Sequence, residues 1–311
     1  MRVLNYHGVI DRSRNGSHFA FLFSDLRDFA AQVSLLVRRA APVALDEFAA
    51  AILGRHHLPD RAVHVTFDDG YQNNIQAAEI LDRHAVPWSL YAVVDAVLDG
   101  YRPWYLRLAD AIDATSNVML PSGAVVDIGG VSQKRAFGRR VKSQIMAAAN
   151  QDAAVDRVLL WKGVRIPDEP SWPMLNIADL KELVVAGVAI GNHSARHRNL
   201  VHCTSDELTA EVSNARQRLE DSLGTSVRHF AYPDGRYDRR VREAVGLDHG
   251  LAFATWTVHH SHDRLAVRRY EPVDVGDLDR ILTRAEPWYG ARWLRWNAVP
   301  RTRELSFGRS Q

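Results

Sequence analysis

Short apolar runs alternate with amphipathic segments along most of this chain, and this alternation limits the fold more strongly than any other feature. Runs rich in β-branched residues, such as AVHVTFDD, are typical of buried strands, whereas NNIQAAEILDRH has apolar residues at helical spacing. Strands that alternate with helices form a mostly parallel sheet that the helices cover. The pattern contains seven or eight such units, so it predicts an α/β barrel and not an open sheet.

The same pattern predicts where the elements lie. The predicted strands are 2–7, 41–45, 62–69, 86–94, 188–193, 227–232 and 251–258. The predicted helices are 23–40, 45–53, 73–84, 176–187, 204–224 and 237–246. The helix over 204–224 is the clearest, because Thr204 and Glu207 have the spacing of a capping box and Gly224 suits its C-terminal end.

The alternation weakens between residues 101 and 173, where glycine, proline and basic residues break the pattern. Because the alternation resumes at residue 174, we interpret 101–173 as an insertion in the barrel and not as a separate domain. The predicted organisation is therefore one barrel domain over 1–285 that contains this insertion, followed by a C-terminal tail over 286–311.

Composition excludes some classes of protein and sets an expected location. The net charge of +2 gives no general case for binding nucleic acid. No apolar run approaches the roughly 20 residues of a membrane-spanning helix, and no secretory signal is visible, so we expect a cytoplasmic protein. The single cysteine, Cys203, excludes an intramolecular disulfide, and nothing beside it marks an activated thiol.

The tail interleaves tryptophan with arginine, at Trp288, Trp293 and Trp296. Such a segment suits either packing over one end of the barrel or peripheral contact with an anionic membrane surface. The sequence leaves both options open, and it does not predict an oligomeric state.

Polar clusters follow three of the predicted strands, in FDDG at 67–70, NHSARH at 192–197 and FAYPDG at 230–235. The carboxyl ends of barrel strands meet on one face, so these clusters are expected to converge. His193 and His197 are four residues apart, and one helical turn would place both imidazoles on the same side. Two histidines and a carboxylate suit a divalent transition metal, with positions left for water and substrate.

The adjacent aspartates in FDDG suggest a division of roles. One carboxylate can coordinate the metal while its neighbour accepts a proton from the water that the metal activates. A single aspartate would not serve both purposes well, because coordination uses the lone pairs that a general base needs. A hydrolase is therefore the favoured hypothesis.

The motifs TFDDG at 66–70, HSARH at 193–197 and FAYPDGRYD at 230–238 resemble the polysaccharide deacetylases with NodB homology, carbohydrate esterase family 4. The segments LNYHGV, VPWSLYAVV, LAFATWTV and VRRYEP resemble the same family, particularly its exopolysaccharide-associated branch. The resemblance covers about residues 1–100 and 173–275, and it implies a distorted barrel of about seven βα units that removes N-acetyl groups from amino sugars.

Carried over position by position, the resemblance implies that Asp68 is the general base. It implies a metal site formed by Asp69, His193 and His197, with Zn²⁺ as the first choice and Co²⁺, Ni²⁺, Mn²⁺ or Fe²⁺ as others. It further implies that the third motif lines the substrate groove and that a backbone N–H there helps to hold the oxyanion. The residues concerned are Tyr232, Pro233 and Asp234.

This sequence departs from the family pattern in two places. Ala231 stands where many members have an arginine that orients the base. No clear match exists for the Leu-x-His motif whose histidine protonates the departing amine. The nearest candidates in that part of the chain are His259, His260 and His262, which also suit an exposed loop.

Other functions remain open at this point. A non-haem iron oxygenase also uses two histidines and a carboxylate, although those sites usually lie on all-β barrels. The two departures suit a carbohydrate-binding protein with impaired catalysis, and the missing signal suits a deacylase of a small N-acylated metabolite. The insertion is expected to cover one rim of the groove through its aromatic residues, which are Trp104, Tyr105, Trp161 and Trp172.

Overall fold

The structure is a computed structural model that describes residues 1–14, 16–119, 123–162, 166–255 and 263–283. The contacts between described residues divide the chain into two compact units. The first, here called the barrel unit, contains 1–14, 20–103 and 171–283. The second unit contains 16–19 and 104–170. The predicted tail over 286–311 lies outside the described residues, as do His259, His260 and His262.

The strands of both units follow in chain order. They are β1 (Arg2–Tyr6), β2 (Val9–Ile10), β3 (Ser24–Asp25), β4 (Ala41–Pro42), β5 (Ala62–Asp69), β6 (Trp88–Ala92), β7 (Asn117–Met119), β8 (Val125–Asp127), β9 (Ala189–Asn192), β10 (His229–Ala231), β11 (Leu251–Ala254) and β12 (Val267–Arg268). Strands β7 and β8 form an antiparallel hairpin in the second unit, and the other ten belong to the barrel unit.

The helices cover these strands or connect them. They are α1 (Leu26–Arg39), α2 (Leu45–Ile52), α3 (Asn74–Arg83), α4 (Val94–Asp99), α5 (Trp104–Asp113), α6 (Val131–Met146), α7 (Gln151–Lys162), α8 (Ile177–Val185), α9 (Ser205–Thr209), α10 (Ala215–Leu223), α11 (Arg239–Asp248) and α12 (Val275–Thr283). A single π-turn, Ala210–Asn214, separates α9 from α10. Within the described residues, no helix combines the length and apolar character needed to span a bilayer.

The main sheet has the order β1-β5-β6-β9-β10-β11-β12, with β4 as an additional partner of β5, and every pair is parallel. Backbone contacts after β12 return to β1, because Tyr270 N donates to Val3 O and Asn5 N donates to Tyr270 O, both at 2.8 Å. These bonds almost close the sheet into a ring. The predicted (β/α) barrel is therefore confirmed.

Helix α1 shows how the outer layer forms. Asp25 caps its first turn by accepting a hydrogen bond from the Arg27 N–H, and its apolar residues recur at helical spacing. Phe29, Val33 and Leu36 are buried on its inner face. Burial of each such side chain stabilises the fold by about 1.5 to 3 kcal/mol.

The second unit consists of α5, the β7–β8 hairpin, α6 and α7. Trp104 and Tyr105 of α5 are 0% and 7% exposed, and Trp172 of the barrel unit is 6% exposed. Aromatic side chains this deeply buried present no face to a sugar ring, so the expectation that these three line a rim is wrong. The side chain of Trp161 lies outside the described residues.

Candidate active site

Strand β5 ends in the two aspartates, and its whole length is buried. Successive side chains of a strand point to opposite faces, so Asp68 and Asp69 reach different surroundings. Asp69 has a left-handed backbone with φ of 73°, and Gly70 follows with φ of 87°. Non-glycine residues rarely adopt the left-handed backbone conformation, and those that do are concentrated at functional sites. The contacts around Asp69 must therefore hold it in this conformation.

The histidines lie directly after β9, as predicted, but the expected helical turn between them is wrong. Residues 193–197 form a loop, in which Ser194 has φ of 66° and His197 has φ of 55°. The loop still brings the two rings together, with centroids 4.9 Å apart at an interplanar angle of 72°.

The two imidazoles converge on Asp69. Its Oδ1 lies 3.4 Å from Nε2 of His193 and 3.5 Å from Nε2 of His197. All three residues are buried, and their possible ligand atoms lie within 4.8 Å of one another. Nδ1 of His193 donates to the backbone carbonyl of Ala231 at 2.8 Å, which leaves the lone pair of Nε2 facing Asp69.

A divalent metal fits this set of donors. Four ligands at about 2.0 to 2.1 Å around a tetrahedral zinc are separated from one another by about 3.3 Å. The oxygen–nitrogen separations of 3.4 and 3.5 Å are close to that value. Within the described residues, Asp69 Oδ1 is also buried without an accepted hydrogen bond of normal geometry. The three residues therefore form a candidate metal site that leaves a ligand position for water.

Asp68 has different partners. Nη1 of Arg269 donates to Oδ1 at 2.7 Å, Nη2 of Arg269 donates to Oδ2 at 2.6 Å, and Nδ2 of Asn5 donates to Oδ2 at 3.2 Å. A carboxylate offers about four lone-pair sites, so these three bonds leave one site able to accept a proton. The side chain of Arg269 is completely buried, which makes this bidentate pair rigid and strong.

The electrostatics keep both aspartates ionised. Burial by itself would raise the pKa of Asp68, but the charges of Arg269 and His193 outweigh it and hold that pKa below its usual range. Burial opposes the effect at Asp69 as well, yet contact with His193 and the charge of His197 hold its pKa far below the ordinary value. Burial would lower the pKa of His193, and the two carboxylates raise it instead. The site therefore attracts positive charge.

His7 is a third histidine at this end of the barrel, and it follows β1. Its charge contributes to the lowered pKa of both Asp68 and Asp69, so its imidazole lies near both carboxylates. The carbonyl of His7 accepts a hydrogen bond from Asn74 Nδ2 at 2.9 Å. Asn74, which follows the aspartates in the sequence, therefore helps to fix the backbone at this histidine.

The third motif follows β10, and its first predicted residue faces the core. Tyr232 is 0% exposed, and its hydroxyl donates to the carbonyl of Leu265 at 2.9 Å. Pro233 and Asp234 form a tight turn in which Asp234 has φ of 51°. The roles of these residues in binding substrate and of a backbone N–H near Asp234 in holding the oxyanion stay predictions.

Comparison with known proteins agrees with this geometry. Residues 167–254, which include both histidines and the third motif, match the sequence profile of the family described as polysaccharide deacetylase. Over this segment the chain is similar to the polysaccharide deacetylase family. It is 36% identical over 73 residues to a chitooligosaccharide deacetylase of Azorhizobium caulinodans, a match that covers 23% of this chain and 34% of that protein. The chain spans about a third of the length of the curated relatives it matches.

Solved structures of polysaccharide deacetylases and related proteins share the fold. IcaB from Ammonifex degensii is 19% identical, with a TM-score of 0.58 over 90% of this chain and 94% of that chain. The deacetylase PplD of Streptococcus pyogenes, solved with acetate, is 14% identical, with a TM-score of 0.59 over 92% of this chain and 98% of that chain. At this level of identity the likeness shows the barrel fold alone.

The departure at Ala231 has a structural explanation. The position that many polysaccharide deacetylases fill with arginine is an alanine here, and its backbone carbonyl orients His193. The guanidinium that holds Asp68 comes from Arg269 instead, just after β12. An arginine that orients Asp68 is therefore present, although it follows another strand.

Sequence reasoning assigned no role to Arg269, Asn5 or His7. A polar residue at the carboxyl end of a strand was the signal that located the other site residues. It applies here too, because all three lie at or just after the carboxyl end of β1 or β12. The segments LNYHGV and VRRYEP had been recognised as family-like without an assignment of their side chains. Strand β12 has only two residues, so its periodicity was too short to predict.

Proposed function

We propose that this chain is a metal-dependent hydrolase that removes an N-acetyl group from an amino sugar in a polysaccharide, an oligosaccharide or a glycan precursor. The observation that carries the proposal is the placement of Asp68, held by Arg269, beside three converging metal-ligating side chains. The match of residues 167–254 to the polysaccharide deacetylase family and the similarity to a chitooligosaccharide deacetylase support this substrate class.

Asp69, His193 and His197 would hold the metal, and Zn²⁺ is the first choice because imidazole nitrogen and carboxylate oxygen suit it. When bound, a divalent cation polarises the acetamide carbonyl and lowers the pKa of a water molecule. Co²⁺, Ni²⁺, Mn²⁺ and Fe²⁺ suit the same ligands, so the preferred metal is a matter for measurement.

Asp68 is the proposed general base. Its remaining lone-pair site accepts the proton of the attacking water, while Arg269 and Asn5 prevent the carboxylate from turning away. A preorganised orientation matters because a shift of about 1 Å in a reacting group can reduce the rate on the order of a hundredfold.

His7 is the proposed proton donor to the departing amine. An imidazole can donate a proton to a leaving group, and this one lies near both aspartates. The proposal gives His7 the role for which the sequence offered only His259, His260 and His262. Replacement of His7 by glutamine should lower the maximal rate with little change in metal content, which acetate release and metal analysis together would show.

The direct experiment measures acetate release by metal-loaded protein from chito-oligosaccharides and from nucleotide-linked N-acetylated amino sugars. The control is the same protein after chelation, which should be inactive and should recover when Zn²⁺ is returned. Acetate from oligosaccharides only, or from precursors only, identifies the substrate class.

Protein that holds stoichiometric metal and binds glycan but releases no acetate from any substrate would contradict the proposed activity.

The cytoplasmic location is a prediction that the structure does not test. Fractionation of cells that produce the natural protein tests it, and enrichment outside the cytoplasm would contradict it.

A further inference from the structure

The helix predicted over 204–224 is interrupted at its centre. Helix α9 ends at Thr209, the π-turn takes Ala210–Asn214, and α10 begins at Ala215. A π-turn accommodates one extra residue in a helix and frees carbonyl groups from the regular ladder, and such turns are frequent near functional sites. The capping box at Thr204 and the glycine end at Gly224 are both as predicted, so the interruption is confined to the middle of the segment 204–224.

Groups of the π-turn bind the histidine loop, defined as residues 192–197 from the last residue of β9 onward. The backbone carbonyl of Glu211 accepts from Ala195 N at 3.0 Å, and its carboxylate accepts from Arg196 N at 2.9 Å. The carbonyl of Val212 accepts from Asn192 Nδ2 at 3.0 Å. The π-turn therefore meets the loop at both its beginning and its middle.

Glu211 is also connected to a metal-ligating residue through one hydroxyl group. Oγ of Ser194 accepts a hydrogen bond from the backbone N–H of His197 at 2.9 Å, and the Ser194 side chain hydrogen-bonds to Glu211. The resulting series runs from His197 through Ser194 to the carboxylate. Glu211 is 3% exposed, so water does not replace these bonds readily.

The loop needs such support because its backbone is strained. Ser194 and His197 are both left-handed, a conformation that brings Cβ of a non-glycine residue too close to the following carbonyl oxygen. A strained conformation persists only where surrounding contacts hold it. The π-turn supplies those contacts from outside the loop.

We infer that Glu211 is a positioning residue that holds the histidine loop in its metal-binding conformation. The inference rests on the proposed metal site of Asp69, His193 and His197. It assigns a function to the π-turn itself, because an unbroken α-helix would satisfy the carbonyl of Glu211 within the helix.

The test compares Zn²⁺ affinity in Glu211→Ala and Glu211→Gln, measured by competition with a chromophoric chelator. Loss of a residue that orients a metal ligand commonly weakens binding by about tenfold to a hundredfold, and we expect this for Glu211→Ala. Glu211→Gln retains an acceptor oxygen for Arg196 N–H and Ser194, so its affinity should stay within a few-fold of the natural value. The visible spectrum of bound Co²⁺ should change in the alanine variant only.

Leu208→Ala is the matched structural control. Leu208 lies on α9 and is buried at 3% exposure, so its truncation destabilises the same helix without removing a loop contact. Its melting temperature should fall while its Zn²⁺ affinity stays natural. An equal loss of affinity in Leu208→Ala and Glu211→Ala would mean that the helix acts only as packing, and it would overturn the inference.

Ser194→Ala tests the same series of bonds without any change in the helix. It should weaken Zn²⁺ binding, and the double variant with Glu211→Ala should lose less than the sum of the two single losses. Additive losses, or natural affinity in Glu211→Ala, would overturn the inference. Natural protein that binds Zn²⁺ but releases no acetate would contradict the proposed activity only, whereas natural protein that binds no metal would overturn both proposals.

Discussion

Two neighbouring corners of the site differ in how their carboxylates are bound. The base corner contains Asp68, Arg269 and Asn5, and both oxygens of its carboxylate accept hydrogen bonds. The metal corner contains Asp69, His193 and His197, where Oδ1 faces two ring nitrogens at 3.4 and 3.5 Å. The two aspartates are adjacent in the chain and equally buried, at 3% exposure each.

The difference shows that the two aspartates are distinguished by their partners and not by their burial. A carboxylate held by a buried arginine has a fixed orientation and already has its charge balanced, so it has no need of a cation. A carboxylate between two imidazoles has no permanently charged partner, so a divalent cation can supply the missing positive charge. Substitutions in each corner therefore have different expected effects.

Substitution in the metal corner should have the largest effect. Asp69→Ala, His193→Ala and His197→Ala each remove one of three protein ligands, so both bound metal and activity should be lost. Metal analysis of the purified proteins and acetate release check this. A variant that keeps stoichiometric metal would show that the substituted residue is not a ligand and does not belong to the metal corner.

Asp68→Asn should separate the corners most clearly. The amide lies outside the metal ligands and cannot accept the water's proton, so metal should be retained while turnover falls by about a hundredfold to ten-thousandfold. The measurement is again metal content beside acetate release. Metal loss equal to that of Asp69→Ala, or an active Asp68→Asn protein, would mean that the roles are assigned wrongly.

Arg269→Met should affect orientation and stability more than metal binding. It leaves Asp68 buried without its cation, and breaking a buried ion pair in this way costs about 3 to 5 kcal/mol of unfolding free energy. Activity should fall on the order of a hundredfold because the base is no longer held. Urea denaturation and acetate release measure the two effects.

The double variant Asp68→Asn/Arg269→Met is the control for that interpretation. It contains no unpaired buried carboxylate, so it should be more stable than Arg269→Met alone. A double variant that is less stable than both single variants would show that Arg269 stabilises the barrel through contacts other than its ion pair with Asp68.

Acid stability should depend on a group that belongs to neither corner. His64 is buried on β5, its Nδ1 donates to Val43 O and its Nε2 accepts from the Ser89 hydroxyl, each at 2.9 Å. Burial lowers the pKa of His64 to about 4. In the unfolded chain a histidine binds its proton near pH 6.5, so this group's stabilisation is complete above that pH.

As the pH falls from about 6.5 to about 4, the unfolded state takes up a proton that the folded state refuses, and stability decreases. For His64 this loss is about 3 kcal/mol. His64→Gln cannot take up the proton, so its unfolding free energy should fall less steeply over this range in urea titrations. His57→Gln, on an exposed side chain, is the control. Equal slopes in the natural protein and His64→Gln would contradict the assignment.

Much of the barrel was predictable because its periodicity is local. Strand β5 and helices α1, α2 and α3 lie within a few residues of their predicted bounds, and Gly224 ends α10 with φ of 69° as expected. Helix α12 and strand β12 were not predicted. Strand β12 has only two residues, and its pairing with β11 defines it. Short strands have too little pattern of their own to be recognised.

The interruption of 204–224 was not predictable from its pattern. The segment has the caps and composition of one continuous helix, and nothing in that pattern marks the π-turn that contacts the histidine loop. The same holds for the spacing of His193 and His197, which suits a helical turn but is realised by a loop with two left-handed residues.

The sequence by itself determined the barrel, the three polar clusters and the set of metal-ligating residue types, because strand ends meet wherever parallel strands alternate with helices. Only the tertiary structure decided that Arg269 orients Asp68 in place of the residue at position 231, that His7 lies near both aspartates and that Glu211 supports the histidine loop. Each of these contacts joins residues on different strands, helices or loops. Hydrogen-bond distance and burial select such partners in space, and the order of residues along the chain does not record them.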